Sequence, residues 1–142
     1  MEYVVSACLA GVRCRYDGTD YIIHDVAQLV ASGRALPICP EQLGGLSTPR
    51  PPAEIIGGDG KAVLKGTARV MAKGGVDVTK ALLIGAREGL KLARLIGATK
   101  AITKDRSPSC GYNYIYRGNE VIPGKGVMVA MFEKDGIEVT SV

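Results

Sequence analysis

Apolar residues recur along the chain in short blocks: Tyr3-Val4-Val5-Ser6-Ala7, Ala35-Leu36-Pro37-Ile38 leading into Cys39, Ala98 to Thr103, and Ile137 to Val142. Blocks of this length, too short for helices and rich in valine and isoleucine, predict buried strands. Longer segments between them carry helical signals. Asp25 caps a predicted helix over Val26 to Ser32, with Gly33 as its left-handed stop. Asp77 is placed to cap a long helix over Val78 to Ile96, in which Gly85, Gly89 and Ala93 recur every four positions and leave one face almost without bulk. That face can approach a neighbouring element closely, which offsets the ~1 kcal/mol of helix propensity lost at each glycine. A last helix is predicted over Val127 to Lys134, ended by Gly136.

Leu9 to Asp20 reads as a loop, and Pro40 to Pro52, with its prolines and Gly44-Gly45, as an ordered loop without an element of its own. Three β-like runs follow, Ala53 to Ile56, Ala62 to Leu64 and Ala68 to Met71, broken by glycines, and these predict a small inserted β flap. Tyr112 to Tyr116 and Glu120 to Ile122 flank the turn signal Arg117-Gly118-Asn119 and predict an irregular hairpin. Strands alternating with helices imply a mostly parallel sheet with flanking helices and right-handed crossovers. The expected fold class is therefore α/β: one domain over 1-142, carrying the inserted flap, with no internal repeat or linker.

Length and composition narrow the functional class. A chain of 142 residues buries enough surface to fold without staples, so its four cysteines are free for chemistry. No apolar run approaches the ~18 residues of a membrane span and no export signal is read. The expectation is a cytoplasmic, reducing setting, where cysteines more often serve metals or catalysis than disulfides. The net charge of +4 is modest and its lysines and arginines are scattered. A small anionic substrate suits that pattern, and a nucleic-acid footprint is not argued for.

Three cysteines occupy matching places. Cys8 and Cys39 terminate predicted strands, and Cys110 sits in the turn Lys104-Asp105-Arg106-Ser107-Pro108-Ser109-Cys110-Gly111 that follows a third. If the strands are parallel neighbours, their carboxyl ends share the sheet edge where open α/β folds place ligands. The spacings fit neither a zinc ribbon nor a ferredoxin, and there is no CxxC pair. Three thiolates brought together suit a 4Fe-4S cluster with one iron left open, or zinc with an open position as the alternative. The plainer reading makes Cys8 and Cys39 buried core thiols. Cys14 is a spare thiol, not counted as a ligand. His24, near a helix start, reads as a surface or cap-region residue.

Beside these cysteines lie Glu41, after Cys39-Pro40, and the hydroxyls of Ser107 and Ser109. A carboxylate and a hydroxyl at a metal can handle the proton of an attacking water; alternatively Glu41 caps a turn and Ser107 bonds backbone. Arg15 and Asp17 in Arg15-Tyr16-Asp17-Gly18 form either a structural pair or a polar clamp on a heterocycle or anion. Arg50, rigid between Pro49 and Pro51, meets substrate or braces its loop.

These residues carry a resemblance. Ser6-Ala7-Cys8-Leu9-Ala10-Gly11 with Arg15-Tyr16-Asp17-Gly18, Cys39-Pro40-Glu41 with Gly44-Gly45-Leu46 and Pro49-Arg50, Arg106-Ser107-Pro108-Ser109-Cys110-Gly111, and Pro123-Gly124-Lys125-Gly126-Val127 resemble, in order and over nearly the whole chain, the motifs of the thiouracil desulfurase family. The resemblance implies a compact α/β enzyme in which Cys8, Cys39 and Cys110 hold a 4Fe-4S cluster. Its open iron takes the sulfur of a thiolated uracil, water replaces that sulfur without net redox change, and Glu41 and Ser107 form the acid/base pair. Arg15, Asp17, Arg50 and Ser109 are the candidate substrate-binding residues. The implied partner is a thiolated nucleobase or nucleotide: 2-thiouracil, 4-thiouracil or a 4-thiouridine phosphate. Ala53 to Gly75 matches no motif, so the choice among these is open, and the sequence is silent on oligomeric state and sulfide acceptor. Two other readings stand beside it: a metal-binding or redox-sensing protein without catalysis, and a metal-free enzyme that carries sulfur as a persulfide on one low-pKa cysteine.

Overall fold

Val4 and Val5 are neighbours on one strand, both fully buried, and they enter different cores. Successive side chains of a strand point to opposite faces, so a sheet covered on both faces follows. In this computed structural model, which describes Met1–Val142, the chain runs through β1 (Tyr3–Ser6), a 3-10 turn (Ala7–Ala10), α1 (His24–Ala31), β2 (Ala35–Ile38) and α2 (Pro40–Leu43). It continues through β3 (Ala53–Ile56), α3 (Gly60–Lys65), β4 (Arg69–Ala72), β5 (Val76–Asp77), α4 (Thr79–Ile96) and β6 (Lys100–Thr103). β7 (Tyr114–Arg117), β8 (Glu120–Pro123), α5 (Val127–Lys134) and β9 (Glu138–Ser141) complete it. The main sheet is parallel throughout, in the order β2-β1-β6-β9. On the Val4 face, Ile38, Ala101 and Val139 join Leu82, Ala86 and Phe132 in the larger core, where α4 packs on α5. On the Val5 face, Ala7, Leu9 and Ala35 pack with Val26 of α1. No helix is long and apolar enough to cross a membrane.

The single α/β domain with its parallel sheet, flanking helices and inserted flap is the expected class. The flap is an antiparallel sheet in the order β3-β4-β5, and the hairpin is β7-β8. Three local expectations are corrected. Ala62-Val63-Leu64 is helical in α3: Asp59 Oδ1 accepts from the N–H groups of Lys61 and Ala62, and Gly66 closes the helix at φ 80°. Two good caps outweigh three residues of β-like composition. Pro40 opens a turn of helix, because a proline at the first helical position lacks only an N–H that would have been unpaired anyway. The first helix starts at His24, exposed at that end, with no side-chain cap from Asp25.

The small-residue face of α4 does what its spacing predicts. A Cβ on Gly85 would stand 1.9 Å from the Pro40 carbonyl oxygen, and one on Gly44 would stand 2.0 Å from that of Ala81, so α2 lies backbone to backbone against α4. Gly85→Ala must push the two helices apart, and we expect it to lower stability by ~1–3 kcal/mol or more. Thermal denaturation checks this, with Leu95→Ala, a site 80% exposed, as the control expected to stay within ~0.5 kcal/mol. Equal melting temperatures for both variants would refute the close approach.

Candidate active site

Because β1 is hydrogen-bonded to β2 on one side and β6 on the other, the chain leaves all three strands at the same edge. Cys8 leaves β1 in the 3-10 turn, Cys39 precedes the first turn of α2, and Cys110 lies in the segment after β6. All three line one cavity of about 740 Å³, together with Cys14, Glu41 and Ser107. All four cysteines are free thiols.

The Cys110 segment is held from three directions. Asp105 Oδ1 accepts from the backbone N–H groups of Arg106, Tyr112, Asn113 and Tyr114. Burial alone would raise the pKa of this carboxyl, but those four bonds prevail and hold it below the ordinary aspartate range. Ser107 Oγ accepts from Ser109 N–H at 3.0 Å and Cys110 N–H at 2.9 Å, closing the cysteine turn. The first amides of α5 then donate outward, Val127 to the Pro108 carbonyl and Met128 to that of Ser109. A helix start has unpaired N–H groups, and here the cysteine segment satisfies them. Gly126 is required at this junction, since a Cβ would come within 2.4 Å of the Ser109 backbone. The Lys125-Gly126-Val127 motif thus buttresses Cys110.

Glu41 is nearly buried, its side chain 14% exposed, and Arg50 Nη2 stands 3.6 Å from its Oε2. Burial raises the Glu41 pKa and Arg50 opposes the rise. Arg50 also donates to Thr48 Oγ1 and to the carbonyls of Ser47 and Cys14. Both terminal nitrogens of this guanidinium are therefore engaged by protein. The Cys39 thiol lies 4.0 Å from Glu41 Oε1. Burial, then the charges of Glu41 and Cys39, push Cys8 up to about 11. Cys110 is raised by burial and Glu41, with a hydrogen bond from Ser6 acting against them. Cys39 alone is lowered, through its hydrogen bond with Cys14.

Arg15 and Tyr16 line the cavity, whereas Asp17 does not: it is exposed and its Oδ1 accepts from the N–H and hydroxyl of Thr19. Arg15 stacks over the Tyr21 ring at 5.7 Å rather than pairing with Asp17. Ser109 is fully buried behind the wall, its hydroxyl without a partner. Lys104 is on the wall, its pKa lowered by burial and then by Arg15. Sequence reading missed Lys104 and Asp105, although both stand in the segment it singled out, and it set Cys14 aside. Arg117 on the hairpin donates to the Ile55 and Gly58 carbonyls, tying the hairpin to the flap where Tyr116, Gly118, Asn119 and Glu54 form the cavity mouth.

The donor set can be tested against a metal centre. No three of the chain's His, Cys, Asp and Glu side chains converge closely enough to hold a single ion. Thiols spread around the wall of a cavity suit a centre of several metal atoms, each taking its own soft sulfur ligand. Buried thiols with raised pKa values also lack the positive charge that such a centre brings. The residues present fit an iron–sulfur cluster better than a zinc ion.

The carboxyl edge of this parallel α/β fold thus carries a thiol-walled cavity with a carboxylate and a hydroxyl beside the thiols, the setting of an enzyme that works with soft sulfur chemistry. A family model described as 2-thiouracil desulfurase matches residues 3–142, and the chain belongs to that family. It is 45% identical over 141 residues to YbbK of Bacillus subtilis (strain 168), an alignment covering 97% of this chain and 93% of that one. The solved structure of the [4Fe-4S]-dependent thiouracil desulfidase TudS superposes with a TM-score of 0.85 at 39% identity, over 99% of this chain and 89% of that one.

The Asp105 bonds yield a direct test. Asp105→Ala leaves the Tyr112, Asn113 and Tyr114 amides without their acceptor, while Arg106 N–H keeps the Tyr114 carbonyl, so exchange of those three amides is expected to accelerate at least tenfold, with Asp105→Asn recovering much of the protection. Unchanged exchange in the alanine variant would show that the carboxylate does not order the segment.

Proposed function

We propose that the protein removes sulfur from a thiolated uracil and installs oxygen from water, without net redox change, at a 4Fe-4S cluster held by Cys8, Cys39 and Cys110. The observation that carries this reading is the family match over residues 3–142, which takes in all three cysteines together with the Glu41 and Ser107 that share their cavity. When bound, the cluster supplies an iron without a protein ligand, a Lewis acid for the soft sulfur of a thiocarbonyl.

The chain's own residues supply the rest. Glu41, held by Arg50 at the cavity wall, takes the proton of the incoming water, and its raised pKa suits it to pass that proton on. Ser107 accepts two N–H bonds at its oxygen, which leaves its own hydrogen free to donate into the cavity. It orients the water or delivers a proton to the ring. Arg15 and Lys104 put positive charge on the same wall and suit an electron-rich heterocycle or its phosphate. Arg50 serves by fixing Glu41. A small thiolated nucleobase or nucleotide is the partner this site accommodates.

Anaerobic reconstitution with iron and sulfide, followed by sulfide release from 2-thiouracil and 4-thiouridine monophosphate, tests the reading. The wild type is expected to gain broad absorption at the blue end of the visible and to release sulfide from at least one compound. Single Cys→Ser variants at 8, 39 and 110 are each expected to lose the cluster. Glu41→Gln is expected to keep it and lose at least ~100-fold in rate. Ser107→Ala also removes an acceptor from the cysteine turn, so its rate is compared per cluster bound. Turnover by iron-free protein, needing one cysteine only, would replace this reading with a metal-free cysteine enzyme.

A further inference from the structure

Of the motif Arg15-Tyr16-Asp17-Gly18, only Arg15 enters the chemistry proposed above. The motif builds a tight turn. Gly18 N–H donates to the Arg15 carbonyl at 2.8 Å, Arg15 N–H donates to that of Thr19 at 3.1 Å, and Gly18 turns the chain at φ 78°. Asp17 is spent on Thr19, and Arg13 Nε holds the Gly18 carbonyl at 3.0 Å. What this turn presents to the cavity is Arg15 and the ring of Tyr16. The Tyr16 carbonyl accepts the Arg50 N–H at 2.8 Å. Its backbone is thereby fixed to the residue whose guanidinium stands 3.6 Å from Glu41.

The chain has six tyrosines, and cations lie over the rings of three: Tyr3, Tyr21 and Tyr112. Of the rest, Tyr16 and Tyr116 line the cavity, 43% and 42% exposed. Tyr116 belongs to the hairpin at the mouth, whereas Tyr16 is anchored beside the Glu41 pair. We infer that Tyr16 is a substrate-binding residue, its ring stacking on the flat pyrimidine ring of the substrate. The inference deepens the desulfuration reading and rests on it. Every pyrimidine offers a π-face, so a stacked ring holds base and nucleotide alike without reading their edges. A tyrosine fixed at its backbone also has only two side-chain torsions to immobilise. The thiolated substrate and its oxo product share the same ring, so the contact contributes to binding throughout the reaction and is read in KM rather than in kcat.

The test follows sulfide release by reconstituted enzyme from 2-thiouracil and 4-thiouridine monophosphate, with uracil and uridine monophosphate as competing ligands. Tyr16→Ala is expected to raise KM about tenfold and the inhibition constants of both competitors by a similar factor. Its kcat stays within about threefold, at unchanged iron content, and Tyr16→Phe, which keeps the ring, stays within about twofold of wild type throughout. Equal KM in wild type and Tyr16→Ala overturns the inference. So does a phenylalanine variant as weak as the alanine one, which would put the effect in the hydroxyl. A rise for the nucleotides with none for uracil places Tyr16 on sugar or phosphate and overturns it as well, and a larger rise in Tyr116→Ala than in Tyr16→Ala gives the stacking to the hairpin instead. If Tyr16→Ala does not fold, Tyr16→Leu, which keeps apolar bulk but has no π-face, is measured under the same expectations. A wild type that releases sulfide from neither compound overturns the desulfuration reading, and this inference with it.

Discussion

The two-sided pairing of β1 is the constraint on which the site depends. A strand hydrogen-bonded to parallel neighbours on both flanks fixes their direction and register together, here Tyr3 opposite both Ala35 and Lys100. Three chain segments far apart in sequence must then emerge at one edge. None of the three cysteines touches another in sequence, and no local motif could bring them together. Central parallel strands also need both faces covered, which is why Val4 and Val5 serve separate cores and why helices flank the sheet on each side.

What happens beyond that edge is set by a few polar groups that share the wall of one cavity. Glu41 is desolvated, which by itself favours the neutral acid, and Arg50 supplies the opposing charge. The same carboxylate raises the pKa of Cys8 and Cys110. Raised pKa values keep these groups protonated, and Arg15, Arg50 and Lys104 bring positive charge to the same cavity. A metal centre bound there would oppose the rise at the thiols, because a coordinating thiol gives up its proton.

Much of this was legible in the chain. The strand-end cysteines, the α4 stripe of Gly85, Gly89 and Ala93, and the hairpin about Gly118-Asn119 are short-range patterns tied to backbone geometry, and each is found where its pattern put it. The misses have physical causes. Ala62-Val63-Leu64 was decided by the caps at Asp59 and Gly66 rather than by its own side chains. The bond from Arg50 to the Cys14 carbonyl spans residues 36 positions apart, and only the folded loop creates it. Asp105 looks like any turn aspartate until four amides close on one of its oxygens. Ser107 bonds backbone, as one of its two readings had it, its oxygen closing the cysteine turn.

The tether from Arg117 to the Ile55 and Gly58 carbonyls makes the hairpin and the flap a single wall over the mouth of the cavity. Every candidate metal or acid/base group comes instead from the parallel-sheet body below. The candidate reacting groups and the rim of the cavity are thus housed in separable parts of the chain. A descendant of this protein can rebuild the mouth around a bulkier or smaller guest by altering β3, β4 and the hairpin tip, and inherit the reacting floor intact.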